Sequence, residues 1–197
     1  ICEGLVGSEM CIRDSPINTP IENASQFTSQ LGGSAANIAA GLAIQGNNVD
    51  LMSPISNDSI GDFVINSCKK IGINTLLLEK VSNLKNTLAI VDTMGDKTNA
   101  VLYREKPADL FIDETFLKKV NLDSYLMIIV TGTSLSRNPS RNNVLKLMEL
   151  AVKRKIDIVL DIDYREGSWD DKKKAEKTLY SASLLSNIVV GLSLIHI

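Results

Sequence analysis

The sequence predicts an α/β fold built on a mostly parallel sheet, and three observations carry that prediction. From Asp113 onward, short apolar runs alternate with helical periods in the order helix, strand, helix, strand, helix, strand. Those strands are continuously apolar, as strands covered by helices on both faces are. The 197 residues are 44% hydrophobic and 22% charged, with a formal net charge of −2, which is a globular composition and excludes a disordered or collagen-like chain. The length suits one large domain, or one domain with a small appendage.

Each element has a local reason. Gly32-Gly33 opens a small-residue helix over Ala35 to Gln45, which Gly46 stops. Val49 to Ile55 reads as a strand. Asp58 to Ile71 reads as a helix because Ile60, Phe63, Val64, Ser67 and Cys68 form one stripe, and Gly72 stops it. Strands follow at Thr75 to Leu78, Thr87 to Asp92 and Ala100 to Arg104, with Met94-Gly95-Asp96 as the hairpin turn between the last two. No helix separates these strands, so about 74–105 is read as an antiparallel excursion, a small β lid. A short helix from Asp113 to Val120 precedes the strand Leu126 to Val130. Val144, Leu147, Met148 and Ala151 line one face of a helix over Ser140 to Lys155. The strand Ile156 to Ile162, a helix over Asp171 to Leu184 and the strand Ile188 to Val190 complete the pattern.

Composition narrows the chemistry. Slight acidity argues against nucleic acid or an anionic membrane as partner, since both require a basic face. No apolar run reaches the ~20 residues of a membrane-spanning helix. His196 is the single histidine and stands next to the last residue, which argues against histidine triads and His-rich metal sites. Cys2, Cys11 and Cys68 show no CxxC spacing, so neither a zinc site nor a redox pair is encoded. Cysteine usage points to a reducing compartment, the cytoplasm. Cys68 falls on a helix's apolar stripe and reads as core.

Residues 1–15 (ICEGLVGSEMCIRDS) show neither a helical nor a strand period and lack the features of a secretory signal. They resemble a translated sequencing adapter, as does the tail 192–197 (LSLIHI). The expectation is therefore a non-native leader over 1–15, a domain over 16–191 cut at both ends, and a non-native tail over 192–197.

Ligands of parallel sheets sit outside the strands' carboxyl ends. Gly32 to Asn37, Thr131 to Thr133 with its neighbours and Asp161 to Arg165 end there, the lid segment around Tyr103-Arg104 can close over them, and three stretches carry candidate chemistry. The first is LGGSAANIAAGLA. Gly32 and Gly33 let a ligand approach the backbone, the first-turn amides suit anions or hydroxyls, and the Asn37 amide suits a polyol. Equally open is a tight turn followed by a satisfied first-turn residue. This is neither GxGxxG nor GxxxxGK[ST], so the dinucleotide fingerprint and the Walker A loop are both absent. The second is IDIVLDIDYREGSW. Its strand-end Asp161 and Asp163 can organise a hydrated Mg²⁺ or accept hydroxyls, and Arg165 can neutralise a transferring phosphoryl group. Alternatively, the acids cap the next helix and Arg165 pairs with one of them. The third is Tyr103-Arg104 at the end of a lid strand. Arg104 can grip a ligand carboxylate in bidentate fashion, or it is an exposed arginine in a surface ion pair.

GGSAANIAAGLAIQG followed by SPISNDSIGDFV resembles the N-terminal signature of the ribokinase-like (PfkB) carbohydrate kinases. Gly32, Gly33, Ala35, Asn37, Ala39 and Gly46 fall on that signature, while Ser56-Asn57-Asp58 departs from the family's Gly-Asp-Asp. The resemblance covers Pro16 to Gly191. VLYREKPADLFI, TGTSLSRNPSR and VLDIDYREGSW resemble, in order, segments of the family's kinases for 5-dehydro-2-deoxy-D-gluconate, a sugar acid of myo-inositol catabolism.

The resemblance implies a ribokinase-like three-layer sandwich, incomplete here, and transfer of the ATP γ-phosphate to a primary hydroxyl of that sugar acid. It implies ATP and Mg²⁺ as cofactors and a small-molecule sugar acid as partner, with a homodimer through the lid as an expectation of the resemblance alone. By the same resemblance Gly32, Gly33, Asn37, Tyr103 and Arg104 bind the substrate, Arg104 faces its carboxylate, and Asp163 and Arg165 lie near the ATP phosphates. No metal ligand is assigned. The family's general base lies in a Gly-Ala-Gly-Asp motif that this chain does not contain, so no catalytic residue is assigned and the chain alone is expected to show no turnover. The alternatives are 2-keto-3-deoxygluconate kinase, ribokinase or fructokinase within the family, and a non-catalytic sugar-binding module outside it. A nicotinamide-dependent oxidoreductase is disfavoured by the missing GxGxxG.

Overall fold

The computed structural model describes residues 2–6, 9–14, 20–94 and 97–191, with side chains over 20–92 and 100–191. Its strands are β1 (Cys2–Val6), β2 (Glu9–Asp14), β3 (Phe27–Gly32), β4 (Asn48–Ser56), β5 (Leu78–Val81), β6 (Leu88–Met94), β7 (Lys97–Tyr103), β8 (Met127–Thr131), β9 (Asp157–Asp161) and β10 (Ile188–Val190). Its α-helices are α1 (Ser34–Ile44), α2 (Ser59–Ile71), α3 (Glu114–Leu117), α4 (Ser140–Lys153) and α5 (Lys172–Ser183). Six strands form a sheet in the order β10-β9-β8-β1-β4-β5, and every neighbouring pair in it is parallel.

Strand alternation divides the core between the two faces of this sheet. On one face Val49, Leu51 and Ile55 of β4 and Ile129 of β8 pack with Ala35, Ala36 and Ala39 of α1 and Val64 and Cys68 of α2. On the other, Met52, Ile128, Val130, Ile158 and Leu160 pack with Val144, Leu147 and Met148 of α4 and Ala175 and Ala182 of α5. The result is helices, sheet, helices: a three-layer sandwich. Burial pushes the Cys68 thiol up to about 11, as befits a core residue.

Helix ends follow the local chemistry. Asp58 caps α2 by accepting from the Ile60 and Gly61 amides at 3.1 and 3.2 Å. The Lys85 ammonium at 2.8 Å and the Ser56 hydroxyl hold its carboxyl down at about 2. A depressed carboxyl stabilises the fold above its unfolded value near 4, and that support is lost as pH falls toward 2. Asp58→Ala is expected to lower stability by about 1 kcal/mol at pH 7 and to flatten the loss between pH 4 and pH 2, both readable in thermal melts.

The second sheet has the order β3-β2-β6-β7. β6 and β7 form the expected antiparallel hairpin, pairing from Leu88↔Tyr103 to Met94↔Lys97; Gly95 and Asp96 of its predicted turn lie outside the described residues. The lid's membership differs from the prediction. Thr75 to Leu78 does not join it: β5 begins at Leu78 and pairs in parallel with Ser53–Ser56 at the edge of the main sheet. Leu78 is buried in the core beside Ile55, and that burial anchors the strand. In its place the lid takes β3, FTSQLG, whose first four residues are exposed and which carries no apolar alternation.

Within the stretch read as a non-native leader, β1 runs between β8 and β4, and β2 pairs with β3 and β6. β1 is an interior strand of a parallel sheet, and such strands carry no alternating period by which periodicity detects them. Residues 192–197 lie outside the described residues.

Candidate active site

The carboxyl ends of β8 and β9, the start of α1 and the end of β7 meet around a cavity of about 590 Å³. Gly33, at φ 93°, turns the chain from β3 into α1 in a conformation that favours glycine. Asn37 follows one turn later. Its side chain makes no hydrogen bond among the described residues and is exposed toward the cavity it lines.

Gly132, directly after β8, lies against the chain leaving β9. A Cβ built on it would stand 1.9 Å from the Ile162 carbonyl oxygen. This close approach of two backbones sets Thr133 on the cavity wall beside Asp163. The Thr133 and Thr131 hydroxyls are 3.2 Å apart.

Asp163 has φ 29°, a strained value for a residue with a Cβ, of order 1–3 kcal/mol. Its carboxylate is nearly buried and doubly engaged. One oxygen accepts from the Ser34 hydroxyl at the start of α1, and the other from Arg165 Nε at 2.9 Å. Arg165 itself is 68% exposed. Arg165 is thus paired, as one reading expected, but the acids do not cap the next helix: Asp171 caps α5 by accepting from the Lys173 amide.

Asp161 accepts from the Asp163 amide at 3.3 Å. Burial pushes its carboxyl up, and the neighbouring Asp163 charge pushes in the same direction. Both Asp163 oxygens have partners, and no group of three or more metal-binding side chains occurs among the described residues. A raised carboxyl pKa costs stability once pH rises through the unfolded value and the group must ionise in place. Asp161→Asn is therefore expected to raise the melting temperature at pH 7, and the two chains should converge as pH falls toward 3.

Arg104 follows β7 and also lines the cavity. Its Nη2 donates to Asp109 Oδ2 at 2.7 Å, and both side chains are largely buried, 15% and 6% exposed. It is in an ion pair, as one reading had it, but an inward one rather than a surface one.

The cavity brings together five of the seven predicted residues: Gly33, Asn37, Arg104, Asp163 and Arg165. Gly32 and Tyr103 are not among its lining. Gly32 is buried as the last residue of β3, paired with Glu9. Tyr103 is 59% exposed and lines a neighbouring depression with Lys85 and Lys106, to which Leu102 and Arg104 also contribute. Ser34 and Ser168 complete the wall without having been singled out from the sequence. A hydroxyl beside Gly33 was a visible signal for Ser34, but its partner lies 129 residues away. Behind Ser34, Asp163 and Arg165 a second cavity of about 570 Å³ opens, with Ile162, Leu179 and Val190 on its apolar side and Lys172 at its rim.

A family model described as pfkB family carbohydrate kinase matches residues 6–186. The chain is 34% identical over 177 residues to the 5-dehydro-2-deoxygluconokinase of Clostridium tetani, covering 89% of this chain and 52% of that protein. It is 37% identical over 177 residues to the 5-dehydro-2-deoxygluconokinase of Mesomycoplasma hyopneumoniae (strain 232), covering 87% and 51%. The chain thus spans about half the length of these curated relatives. Among solved structures, a PfkB protein from Polaromonas sp. JS666 aligns with a TM-score of 0.88 at 18% identity, over 95% of this chain and 64% of that one. The fructokinase with bound ATP from Xylella fastidiosa aligns at 0.84 and 21% identity, over 95% and 56%. These structural likenesses are ones of fold.

Proposed function

The chain belongs to the pfkB family of carbohydrate kinases, and from that membership we propose that it is the sugar-binding part of an ATP-dependent kinase for a sugar acid, 5-dehydro-2-deoxy-D-gluconate. One observation carries the reading: a single cavity gathers an open Asn37 amide, the α1 start and two arginines. Asn37 and the helix-start amides suit the hydroxyls of a polyol. Arg104, from the lid side, suits the substrate carboxylate. Arg165, on the wall shared with the second cavity, suits the transferring phosphate of ATP. Asp163 would repel a phosphate, so its part is to hold Arg165. ATP supplies the phosphoryl group, and Mg²⁺ is given no ligand among the described residues.

No helix among the described residues is long and apolar enough to cross a membrane. We place the kinase in the cytoplasm. The exposed Val101, Leu102 and Tyr103 of β7 support a homodimer through the lid, which sedimentation velocity reads.

The chain contains no Gly-Ala-Gly-Asp sequence, so binding is the direct test. Isothermal titration with 5-dehydro-2-deoxygluconate, 2-keto-3-deoxygluconate and fructose should show both acids binding and fructose at least tenfold weaker. Fructose bound as tightly as the acids would overturn the sugar-acid reading, and 2-keto-3-deoxygluconate bound more tightly would move the substrate to that acid. A coupled ATP assay of the chain should stay at blank. Turnover there would place the base within these residues.

A further inference from the structure

We propose that Asp109 is a specificity-determining positioning residue: it grips the base of the lid's β6–β7 hairpin at both of that hairpin's crossings and thereby sets the direction of Arg104 in the sugar cavity. The proposal rests on the reading of Arg104 as the group that meets the substrate carboxylate.

The lid hairpin leaves the main sheet domain through Thr87, directly before β6, and returns through Arg104, directly after β7. The Asp109 carboxylate joins both points. Its Oδ1 accepts from Thr87 Oγ1 at 3.1 Å and its Oδ2 from Arg104 Nη2 at 2.7 Å. Thr87 is fully buried and Asp109 is 5% exposed. Water competes little for these bonds, and both are charge-assisted or buried.

Asp109 in turn belongs to the main domain. It sits in the short 3₁₀ turn Ala108–Leu110, and Leu110 and Ile112 beside it are core residues. Ser140, the first residue of α4, donates to the Asp109 carbonyl at 3.3 Å and accepts from the Ile112 amide at 2.9 Å. The Ala108 amide donates to the Lys85 carbonyl at 2.7 Å, drawing the incoming lid segment to the same turn. The carboxylate is therefore a fixed point of the sheet domain, and the lid arginine is referred to it. An arginine side chain is long and loses much rotamer freedom when it binds. Pairing with a rooted carboxylate orders that side chain before the ligand arrives.

The test is a binding cycle with four chains: the parent, Asp109→Asn, Arg104→Met and the double variant. Each is titrated with 5-dehydro-2-deoxygluconate and with fructose. Asp109→Asn is expected to weaken the acid about tenfold and to leave fructose unchanged. In the Arg104→Met background it should cause no further loss, because nothing remains to be aimed. A merely structural residue would weaken both sugars in both backgrounds, and that pattern overturns the proposal. A loss with Arg104→Met and none with Asp109→Asn overturns it while sparing the substrate reading. An acid affinity untouched by Arg104→Met overturns the substrate reading and the role of Asp109 with it. If Asp109→Asn loses its cooperative melt, Thr87→Val removes one arm of the grip alone. It should weaken the acid selectively in the same direction, and an unchanged acid affinity there overturns the proposal.

Discussion

Gly132→Ala is expected to destabilise the chain more than any other single methyl group added at a glycine facing this site. The new Cβ would stand 1.9 Å from the Ile162 carbonyl oxygen, 2.8 Å from its carbon and 3.1 Å from Leu179 Cδ2. The first two are backbone atoms and cannot swing aside as a side-chain tip can. Relief requires the β8 and β9 exits to separate, which disturbs Thr131 and Ile162 and the sheet pairing Thr131↔Asp161 behind them. The cost lies at the upper end of overpacking, about 3 kcal/mol or more. For a chain of this length that lowers the melting temperature by roughly 6–12 °C. Gly41→Ala is the matched control: it lies inside α1, and an added Cβ meets nothing within 4 Å. It should stabilise by about 0.5–1 kcal/mol. Circular dichroism melts of the two variants decide the matter, and a Gly132→Ala chain that melts with the parent would show that the two strand exits can part cheaply.

Arg104→Met is expected to have the largest effect on ligand recognition. A hydrogen bond to a charged group contributes about 1.5–3 kcal/mol, so acid-sugar affinity should fall roughly 10- to 100-fold, with fructose binding unchanged. The substitution also takes the guanidinium away from the buried Asp109, and removing one partner of a buried ion pair is costly. A lower melting temperature should accompany the lost affinity. Arg104→Lys separates the two effects. Lysine keeps a cation near Asp109 but lacks the planar fork, so the fold should recover more than the binding does. Calorimetric titration beside a thermal melt reads both quantities. Equal weakening of fructose would show that Arg104 shapes the cavity without addressing a carboxylate.

What could be read along the chain was local. Gly33 before a run of small residues, Asp58 and Asp113 two or three residues ahead of the amides they serve, and the stripe of Val144, Leu147 and Met148 all depend on neighbours within about one helical turn. The same holds for the strand Ile188–Val190, found where its apolar run predicts it. Asn37, Arg104 and Arg165 were legible as candidates because each is a polar or charged residue at the end of an element otherwise patterned for the core or the lid.

By itself, then, the sequence determined the order of helices and strands from Ser34 onward, the layered α/β class, and which polar residues stand at element ends. The tertiary structure decided which of these meet. Sheet order, not sequence distance, puts β5 at the main sheet's edge instead of in the lid. It also brings Ser34 to Asp163 across 129 residues and Thr87 to Asp109 across 22. Tyr103 falls in the depression beside the cavity, whereas Leu102 and Arg104 line both. Such pairings are set by which strands lie side by side once both faces of the sheet are buried, and that arrangement depends on packing free energy summed over the whole core, which no local stretch of residues encodes.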